Sequence, residues 1–206
     1  MRPFQISDLV LCLATGPIGT NTYLLRTEPV IVIDPGYGIG SIVKRSCVVF
    51  LTHGHFDHIC GLKELNVEKV YVSKEDSIYL KDPSLNLSIH FGERFTFEGF
   101  VEILTNDTLS ECGVDFQVIY APGHTPGSIL LRTNGVIFSG DTIFLDSIGR
   151  TDLPGGDEVA MSKTLNRLRK ILRSFPPDLL ILPGHGEFGK VGDILKYNDF
   201  LKEEER

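Results

Sequence analysis

The sequence is short of basic residues and of long hydrophobic stretches, and each shortage argues against a class of function. Its 206 residues include 20 Lys and Arg against 27 Asp and Glu, and the formal net charge is −7. Proteins that bind nucleic acid need basic surfaces facing the phosphates, so no nucleic-acid partner is expected. The longest apolar runs, such as residues 179–182, are far too short to span a bilayer, so no membrane association is expected either.

Cysteine is scarce as well, and no export signal is visible. The four cysteines, at positions 12, 47, 60 and 112, show no CxxC spacing. The first residues contain one Arg and no apolar stretch of the kind that a signal peptide needs. Scattered cysteines in such a chain are more typical of free thiols than of a disulfide framework. We therefore expect a cytoplasmic protein with reduced cysteines.

The composition is otherwise that of an ordinary globular protein, with 42% apolar and 23% charged residues. A chain of this length buries roughly 70% of its unfolded surface, which is enough for one sizeable core. No internal repeat, linker or low-complexity segment interrupts the sequence. We expect a single domain over residues 1–206.

Short runs rich in β-branched residues alternate with turn signals, and four longer segments have helical patterns. The predicted strands are residues 9–13, 22–25, 30–33, 48–51, 69–72, 116–120, 129–131, 136–138 and 179–182. The predicted helices are residues 58–65, 74–80, 158–175 and 191–202. Strands come first and helices join them later, which favours an α/β fold of layered sheets with helices outside.

The unusual polar residues follow predicted buried strands. His53 follows VVFLT, His124 follows FQVIYAPG, Asp141 ends VIFSGD and His185 ends LLILPGH. Glycine or proline neighbours each of them and permits the sharp turns that aim a side chain into a cleft. Because α/β proteins place their sites at the carboxyl ends of strands, we expect these side chains to share one site.

Residues 53–58, HGHFDH, contain three of the six histidines of the chain. Each could be a hydrogen-bonded structural histidine, and Asp57 could cap the helix that follows. Together, however, they crowd imidazoles that would repel one another once protonated, and a divalent cation removes that repulsion. His53 and His55 point to the same side of an extended chain, and Asp57 and His58 add two more donors. The complete set of five His and two Asp exceeds one tetrahedral zinc site and suits two ions that share a carboxylate.

Four motifs resemble those of the metallo-β-lactamase-fold hydrolases. They are HGHFDH at 53–58, GHTPGS at 123–128, GDTIF at 140–144 and PGHG at 183–186. The similarity covers most of the chain, from TNTYL at 20–24 onwards, and includes small bacterial members of the hydroxyacylglutathione hydrolase (glyoxalase II) group. This resemblance implies a four-layer αββα sandwich, which agrees with the layers expected above.

The resemblance also implies a binuclear metal centre. It assigns one ion to His53, His55 and His124, a second ion to Asp57, His58 and His185, and the bridging position to Asp141. Asp34, in VIDPG, would support the histidine loop from outside the centre, or it is a plain turn aspartate. The two divalent ions are expected to be zinc, although imidazoles and carboxylates suit iron and manganese as well.

The implied reaction is hydrolysis of a small thioester by a metal-bound hydroxide that forms near neutral pH. Asp57 and Asp141 would act in catalysis, with Asp57 orienting the hydroxide through its free oxygen. Arg150, in GRTD at 149–152, would hold a carboxylate of the thiol carrier, or it is a loop arginine paired with Asp152 or Asp157. The chain ends soon after His185, without the C-terminal helical region of longer glyoxalase II enzymes, which argues against glutathione itself as the carrier.

The main alternative is a mononuclear iron persulfide dioxygenase of the same fold, because that group also resembles this chain in its GRTD segment.

The acidic charge argues against a nuclease of this fold. A β-lactamase is disfavoured because Asp141 stands where those enzymes usually place a cysteine or a serine-flanked ligand. A non-catalytic scaffold would be expected to have lost a ligand, and none is missing. The expected partner is therefore a small-molecule substrate, while the sequence specifies no oligomeric state.

Overall fold

The computed structural model describes residues 3–133 and 135–202, which form two mixed β-sheets lying face to face. The first sheet has seven strands in chain order: β1 Phe4–Gln5, β2 Val10–Thr15, β3 Thr20–Leu25, β4 Val30–Ile33, β5 Ser46–Phe50, β6 Asn66–Ser73 and β7 Val101–Leu104. Strands β1 to β4 pair antiparallel, and β4 to β7 pair parallel. The parallel half of this sheet delivers the HGHFDH segment at the end of β5.

Within residues 3–133 and 135–202, the second sheet has six strands and one parallel pair. Its strands are β8 Thr108–Glu111, β9 Val114–Tyr120, β10 Ile129–Thr133, β11 Val136–Gly140, β12 Leu180–Pro183 and β13 Gly189–Lys190. Their order across the sheet is β13-β12-β11-β10-β9-β8. Strands β11 and β12 are the parallel neighbours, so their carboxyl ends lie side by side.

In the described parts of the chain, three α-helices and four 3-10 helices connect and cover the sheets. The α-helices are α1 Phe56–Ile59, α2 Glu158–Arg173 and α3 Val191–Tyr197. The 3-10 helices are Ile39–Ser41, Cys60–Glu64, Glu75–Leu80 and Ser88–Phe91. Asp157 caps α2, since its carboxylate accepts a hydrogen bond from the backbone N–H of Ala160 at 2.9 Å.

The central core lies between the two sheets and is rich in aromatic side chains. Phe50 of β5 stacks on Tyr71 of β6, with ring centroids 4.6 Å apart. Phe50 also contacts Phe116 of the opposite sheet at 4.7 Å, and Tyr23 contacts Phe138 at 5.1 Å. These contacts join the sheets directly behind the strand ends that carry the histidines.

Two further cores lie on the outer faces of the sheets. One is formed by the first sheet with the short helices around Ile39, Ile59 and Leu80. The other is formed by the second sheet with α2 and α3, through Leu168 and Ile194 among others. The molecule is therefore an α/β fold with four layers, helices outside two packed sheets, which confirms the expected αββα sandwich.

The sequence predicted nine strands, and all nine exist. It missed β1, β7, β8 and β13, which are short or have exposed polar residues and lie at or near the sheet edges. The helix predicted at 58–65 is a short α1 followed by a 3-10 helix, and the one at 74–80 is wholly 3-10. Over so few residues, apolar spacing does not separate the two helix types. Helix α2 ends at Arg173, and α3 ends at Tyr197 rather than continuing to 202.

The remaining expectations about the chain concern thiols and membranes. Cys12, Cys47, Cys60 and Cys112 are all free, as the sequence predicted. Within the described residues, no helix has both the length and the apolar character needed to cross a bilayer.

The buried face of α2 generates a prediction about stability. Leu168 is fully buried in the outer core, whereas Val159 on the same helix is 63% exposed. Leu168→Ala should lower the free energy of unfolding by about 2–5 kcal/mol, because it leaves a cavity that the core cannot fill. Urea unfolding would measure this, with Val159→Ala as the matched control. Equal losses in the two variants would contradict the packing described here.

Candidate metal centre

The seven predicted donors converge where four strands end. His53 follows β5, His124 follows β9, Asp141 follows β11 and His185 follows β12. The other three, His55, Asp57 and His58, lie in the segment that turns from His53 into α1. Six of the seven contribute ligand atoms to two groups, within each of which all atoms lie within 4.8 Å of one another, and Asp141 belongs to neither.

The first group consists of His53, His55 and His124, and all three are buried. His55 Nδ1 lies 2.9 Å from His124 Nε2, so two imidazole nitrogens face each other at close range. Burial lowers the pKa of His53 well below its ordinary value and that of His55 to about 3, and the neighbouring imidazoles add to the effect. Burial also lowers the pKa of His124. These imidazoles are therefore neutral, which is the form that binds metal ions.

The second group consists of Asp57, His58 and His185 and is more open to solvent. Asp57 Oδ2 lies 3.0 Å from His185 Nε2 and 3.2 Å from His58 Nε2. Burial would raise the pKa of Asp57, but His58 and His185 outweigh it and hold the pKa well below its usual range. Burial likewise opposes protonation of His58 and His185, yet Asp57 and Asp141 raise both pKa values. A proton and a divalent cation compete for the same position in this group.

Asp141 lies between the two groups. Its Oδ2 is 3.8 Å from His124 Nε2 in the first group and 3.7 Å from His185 Nε2 in the second. Its Oδ1 is 3.5 Å from His58 Nε2. Gly184 permits this approach, because a Cβ at that position would overlap Asp141 Oδ1. A carboxylate in this position is placed to reach both groups at once.

Several polar atoms of the centre are buried without a hydrogen-bond partner, a rare state for polar atoms. They are Nε2 of His53, His55 and His58, and Oδ1 of Asp141. His58 Nε2 lies near two carboxylates, but not in hydrogen-bonding geometry. Cations among these atoms would satisfy all of them, and imidazole and carboxylate are ligands for zinc, iron and manganese. The residues present therefore fit divalent metal ions.

Contacts behind the imidazoles fix which nitrogen faces the centre. His124 Nδ1 lies 2.8 Å from the carbonyl oxygen of Arg150, which only accepts, so Nδ1 carries the hydrogen. His58 Nδ1 donates in the same way to Asp34 Oδ2 at 3.1 Å. His53 Nδ1 lies 3.2 Å from the hydroxyl of Thr52. In each ring the Nε2 lone pair is left for the centre, the arrangement found behind metal-binding histidines.

Asp34 lies beneath the histidine segment and joins it to β4. Its Oδ1 accepts from the backbone N–H of Thr52 at 2.8 Å, and its Oδ2 accepts from the Thr52 hydroxyl at 2.6 Å. The same Oδ2 accepts from His58. Asp34 has a φ of 52°, a left-handed conformation that is uncommon outside glycine and recurs at functional sites. These contacts place Asp34 where a supporting residue would act.

Sequence reasoning missed the residues of β3 that hold the second group. Thr20 donates through its hydroxyl to Asp57 Oδ2 at 2.8 Å. Asn21 Nδ2 donates to the carbonyl of Pro183 at 3.0 Å, and the hydroxyl of Tyr23 donates to the same carbonyl at 2.6 Å. The TNTYL segment was visible in the sequence, but nothing in it showed that its side chains reach the loop of His185.

Asp76 is a second residue that the sequence did not single out. It is fully buried and joins the two loops that carry the first group. Its carboxylate accepts from the backbone N–H of Gly54 at 2.9 Å, from the Thr125 hydroxyl at 2.7 Å and from the backbone N–H of Gly127 at 2.7 Å. Burial raises the pKa of Asp76 to about 6, against the effect of these hydrogen bonds. Gly127 allows the contact, since a Cβ there would overlap Ser73 and Asp76.

Arg150 is the one predicted site residue whose side chain does not join the others. Its guanidinium makes two hydrogen bonds of 2.8 Å to the carboxylate of Asp152, and both side chains are largely exposed. Its side chain lines a pocket with Met161 and Phe200, whereas Asp57 and His185 line other pockets. The Asp152 pairing is one of the two alternatives considered from the sequence, and substrate binding by Arg150 stays a prediction.

Comparison with known proteins gives a consistent family match. Residues 15–185 match the metallo-beta-lactamase superfamily. The hydroxyacylglutathione hydrolase GloC of Haemophilus influenzae is 31% identical over 192 residues, which cover 82% of this chain and 86% of the relative.

Two solved structures are similar over nearly their whole length. The BLEG-1 B3 metallo-beta-lactamase is 31% identical with a TM-score of 0.83, covering 95% of this chain and 100% of its own. The protein TTHA1623, solved in a di-iron-bound form, is 30% identical with a TM-score of 0.75, covering 92% of this chain and 99% of its own.

The contacts of Asp76 generate a prediction about metal retention. Asp76→Asn should lower the free energy of unfolding by about 1–3 kcal/mol. The carboxylate accepts three hydrogen bonds, and the NH₂ group of an amide cannot accept those made to the oxygen that it replaces. Since both ligand loops lose an anchor, metal affinity should fall by roughly 10–100-fold. Chelator competition would measure the affinity, and Glu75→Gln, at the exposed neighbour, is the matched control. Unchanged affinity in Asp76→Asn would show that the loops hold their positions without this contact.

Proposed function

The chain belongs to the metallo-β-lactamase superfamily, and from that premise we propose that it is a binuclear metal-dependent hydrolase that cleaves a small thioester. The observation that carries the proposal is the convergence of six buried or half-buried donors in two groups, with Asp141 between them and several ligand atoms left without a hydrogen-bond partner. Similarity to GloC, a hydroxyacylglutathione hydrolase, supports the thioester as substrate class. We also propose that residues 1–206 act as a single domain.

The proposed ligand set divides between two ions. His53, His55 and His124 would hold the first ion, Asp57, His58 and His185 would hold the second, and Asp141 would be shared. We expect both ions to be zinc. The di-iron-bound form of TTHA1623 supports iron as the alternative. When bound, two such ions supply a water acidified towards neutral pH and a Lewis acid for the substrate carbonyl.

The residues of the chain define the rest of the chemistry. Asp57 is fixed in orientation by Thr20 and His185, which both contact its Oδ2, so its other oxygen is free to accept a hydrogen bond. That oxygen can orient the attacking water. The buried imidazoles of the first group keep bulk water away from one side of the centre.

A second candidate is hydrolysis of a β-lactam, because the BLEG-1 B3 metallo-beta-lactamase is similar over 95% of the chain. The sequence had argued against this activity on the identity of Asp141. A β-lactam and a thioester both present a carbonyl to an activated water, so one centre can be assayed for both. A third candidate is a mononuclear iron dioxygenase, which differs from both hydrolases because it uses one metal ion and consumes oxygen.

The proposal is tested by metal content and turnover together. Protein purified without chelator should contain about two divalent ions per chain and should hydrolyse small thioesters. Asp141→Ala should lose one or both ions and reduce kcat/KM by roughly 100-fold or more, since even supporting contacts cost about 10–100-fold. Elemental analysis and a thioester panel give the two readings, with Asp115→Ala, at an exposed aspartate of β9, as control.

Other results of these measurements would support one of the alternative functions. One iron per chain with oxygen uptake on glutathione persulfide would replace the hydrolase by a dioxygenase. Turnover of β-lactams without turnover of thioesters would identify the second candidate. Full activity of Asp141→Ala with both ions retained would contradict the shared position of Asp141.

The role proposed for Arg150 can be separated from its pairing with Asp152. If Arg150 holds a carboxylate of the thiol carrier, Arg150→Ala should raise KM more than it lowers kcat. A charge-assisted hydrogen bond of about 1.5–3 kcal/mol predicts a 10- to 150-fold fall in kcat/KM for carboxylated carriers alone. Asp152→Asn should act in the opposite direction by freeing the guanidinium. Steady-state kinetics that are unchanged in both variants would leave Arg150 as a loop-pairing residue.

A further inference from the structure

An apolar pocket lies beside the centre, and of its lining residues Asp57 alone is a proposed ligand. It has a volume of about 310 Å³, within the range of small-molecule sites. Its walls come from the β2–β3 turn, the loop after β4, α1 and the loop around residue 91, and its main lining residues are Pro17, Ile18, Tyr37, Phe56, Phe91 and Glu93. Asp57 of the second group and its hydrogen-bond partner Thr20 also line it. A molecule in this pocket would lie next to Asp57.

Large apolar side chains are unusually exposed around this pocket. Ile18 is 51% exposed, Tyr37 is 66% exposed and Phe91 is 44% exposed. Single exposed apolar residues are common on proteins, but several gathered around one concavity mark a binding surface. The side chain of Asp57, 18% exposed, opens to this pocket, whereas that of His185, 27% exposed, lines another.

The wall that carries Phe91 is fixed in place. The ring of Phe91 contacts that of Phe56, with centroids 5.3 Å apart. The loop leading to Phe91 is held by the buried Asn86, which donates to the carbonyls of Tyr79 at 2.7 Å and Phe95 at 3.1 Å. The carbonyl of Asn86 also accepts from the backbone N–H of Phe56 at 2.7 Å. Binding of a ligand here would therefore cost little conformational entropy in this wall.

The opposite wall is tied down by the backbone of the β2–β3 turn. The N–H of Gly16 donates to the carbonyl of Tyr37 at 3.0 Å, which joins the turn to the loop after β4. The buried hydroxyl of Thr15 donates to the carbonyl of Thr20 at 2.9 Å. Ile18 is therefore presented on a turn whose two ends are hydrogen-bonded.

The charge of the pocket restricts what it can hold. Among the residues that line it, the charged ones are Asp57 and Glu93, and both are acids. Because Asp57 is a proposed metal ligand, its charge would be shared with a cation, and Glu93 is the acid that a ligand carboxylate would meet. An uncharged apolar group would instead bury its surface against Phe56, Ile18 and Phe91.

We propose that this pocket binds the acyl group of the thioester and that the acyl group is an uncharged hydrocarbon chain. The inference rests on the proposed thioester hydrolysis. The backbone carbonyl of Arg150, the residue proposed for the thiol carrier, contacts His124 of the first group, and Arg150 lines a different pocket. The acyl group is therefore the part of the substrate left for this pocket. Ile18 and Phe91 then determine chain-length preference, and Glu93 selects against an acyl group that ends in a carboxylate.

The test is a series of N-acetylcysteamine thioesters, from acetyl to octanoyl, with the metal-loaded protein. Burial of each methylene should raise kcat/KM by about three- to fourfold until the pocket is full. Phe91→Ala and Ile18→Ser should each flatten this dependence, while Phe100→Ala, at an exposed phenylalanine away from the pocket, should keep it. Varying the thiol with a constant acyl group should give the same relative rates in Phe91→Ala as in the wild type.

The charge arm compares succinyl with butyryl thioesters. The succinyl compound should be the poorer substrate, and Glu93→Gln should narrow the difference by up to about fivefold, the effect of an exposed charge. A chain-length profile that is flat in the wild type, or that survives both pocket variants, would overturn the proposal while leaving the hydrolase intact. Sensitivity of the thiol series to Phe91→Ala would overturn the acyl assignment.

Binding measurements separate failure of this inference from failure of the proposed function. Non-hydrolysable S-(2-oxoalkyl) analogues of the same series, titrated by calorimetry, should bind about three- to fourfold more tightly per methylene. Such a dependence without turnover of any thioester would support the pocket and reject thioester hydrolysis. Chain-independent binding would overturn the pocket.

Discussion

The site depends on one electrostatic constraint, which is that five imidazoles and two carboxylates are gathered in one place and most of them are buried. Bringing charges out of water is costly unless they are paired. His53, His55 and His124 meet this constraint by staying neutral, as their lowered pKa values show. Asp57 and Asp141 stay close to His58 and His185, whose pKa values rise in response. Positive charge is therefore required in the second group, and the neutral imidazoles of the first group offer lone pairs to a cation.

Such a cluster stays assembled only because rigid elements hold it from behind. Asp34 joins β4 to the histidine segment, Asp76 joins that segment to the loop of His124, and Asn21 joins β3 to the loop of His185. Each support uses backbone or buried side-chain hydrogen bonds, which are strongest where water is excluded. The packed sheets fix the strands, and these three residues fix the loops at the strand ends. The donors are thus preorganised, and little energy is needed to arrange them around a cation.

Both the strands and the donors could be predicted from the sequence, because both depend on local patterns of apolar and polar residues. Buried strands are continuous apolar runs, and polar residues directly after them are conspicuous. The supporting contacts are different, because their partners are distant in the chain. Asp76 reaches Gly127, and Asn21 reaches Pro183, without any local pattern that marks them. The pairing of Arg150 with Asp152 could be predicted as an alternative because the two residues are only two positions apart. The surrounding sequence did not decide between this pairing and binding of a substrate carboxylate.

The two groups of donors differ in exposure, and this difference separates the chemistry of the site from its specificity. The first group is enclosed by the sandwich, whereas the second opens through Asp57 and His185 to pockets lined by loops. Loops can change in sequence without moving the strand ends that deliver the donors. Relatives named as a hydroxyacylglutathione hydrolase and as a β-lactamase can therefore share this architecture. The turn of Ile18 and the segment that ends at Phe91 are such elements, and they line the same pocket as Asp57, where a change of residue would alter which substrate reaches the donors.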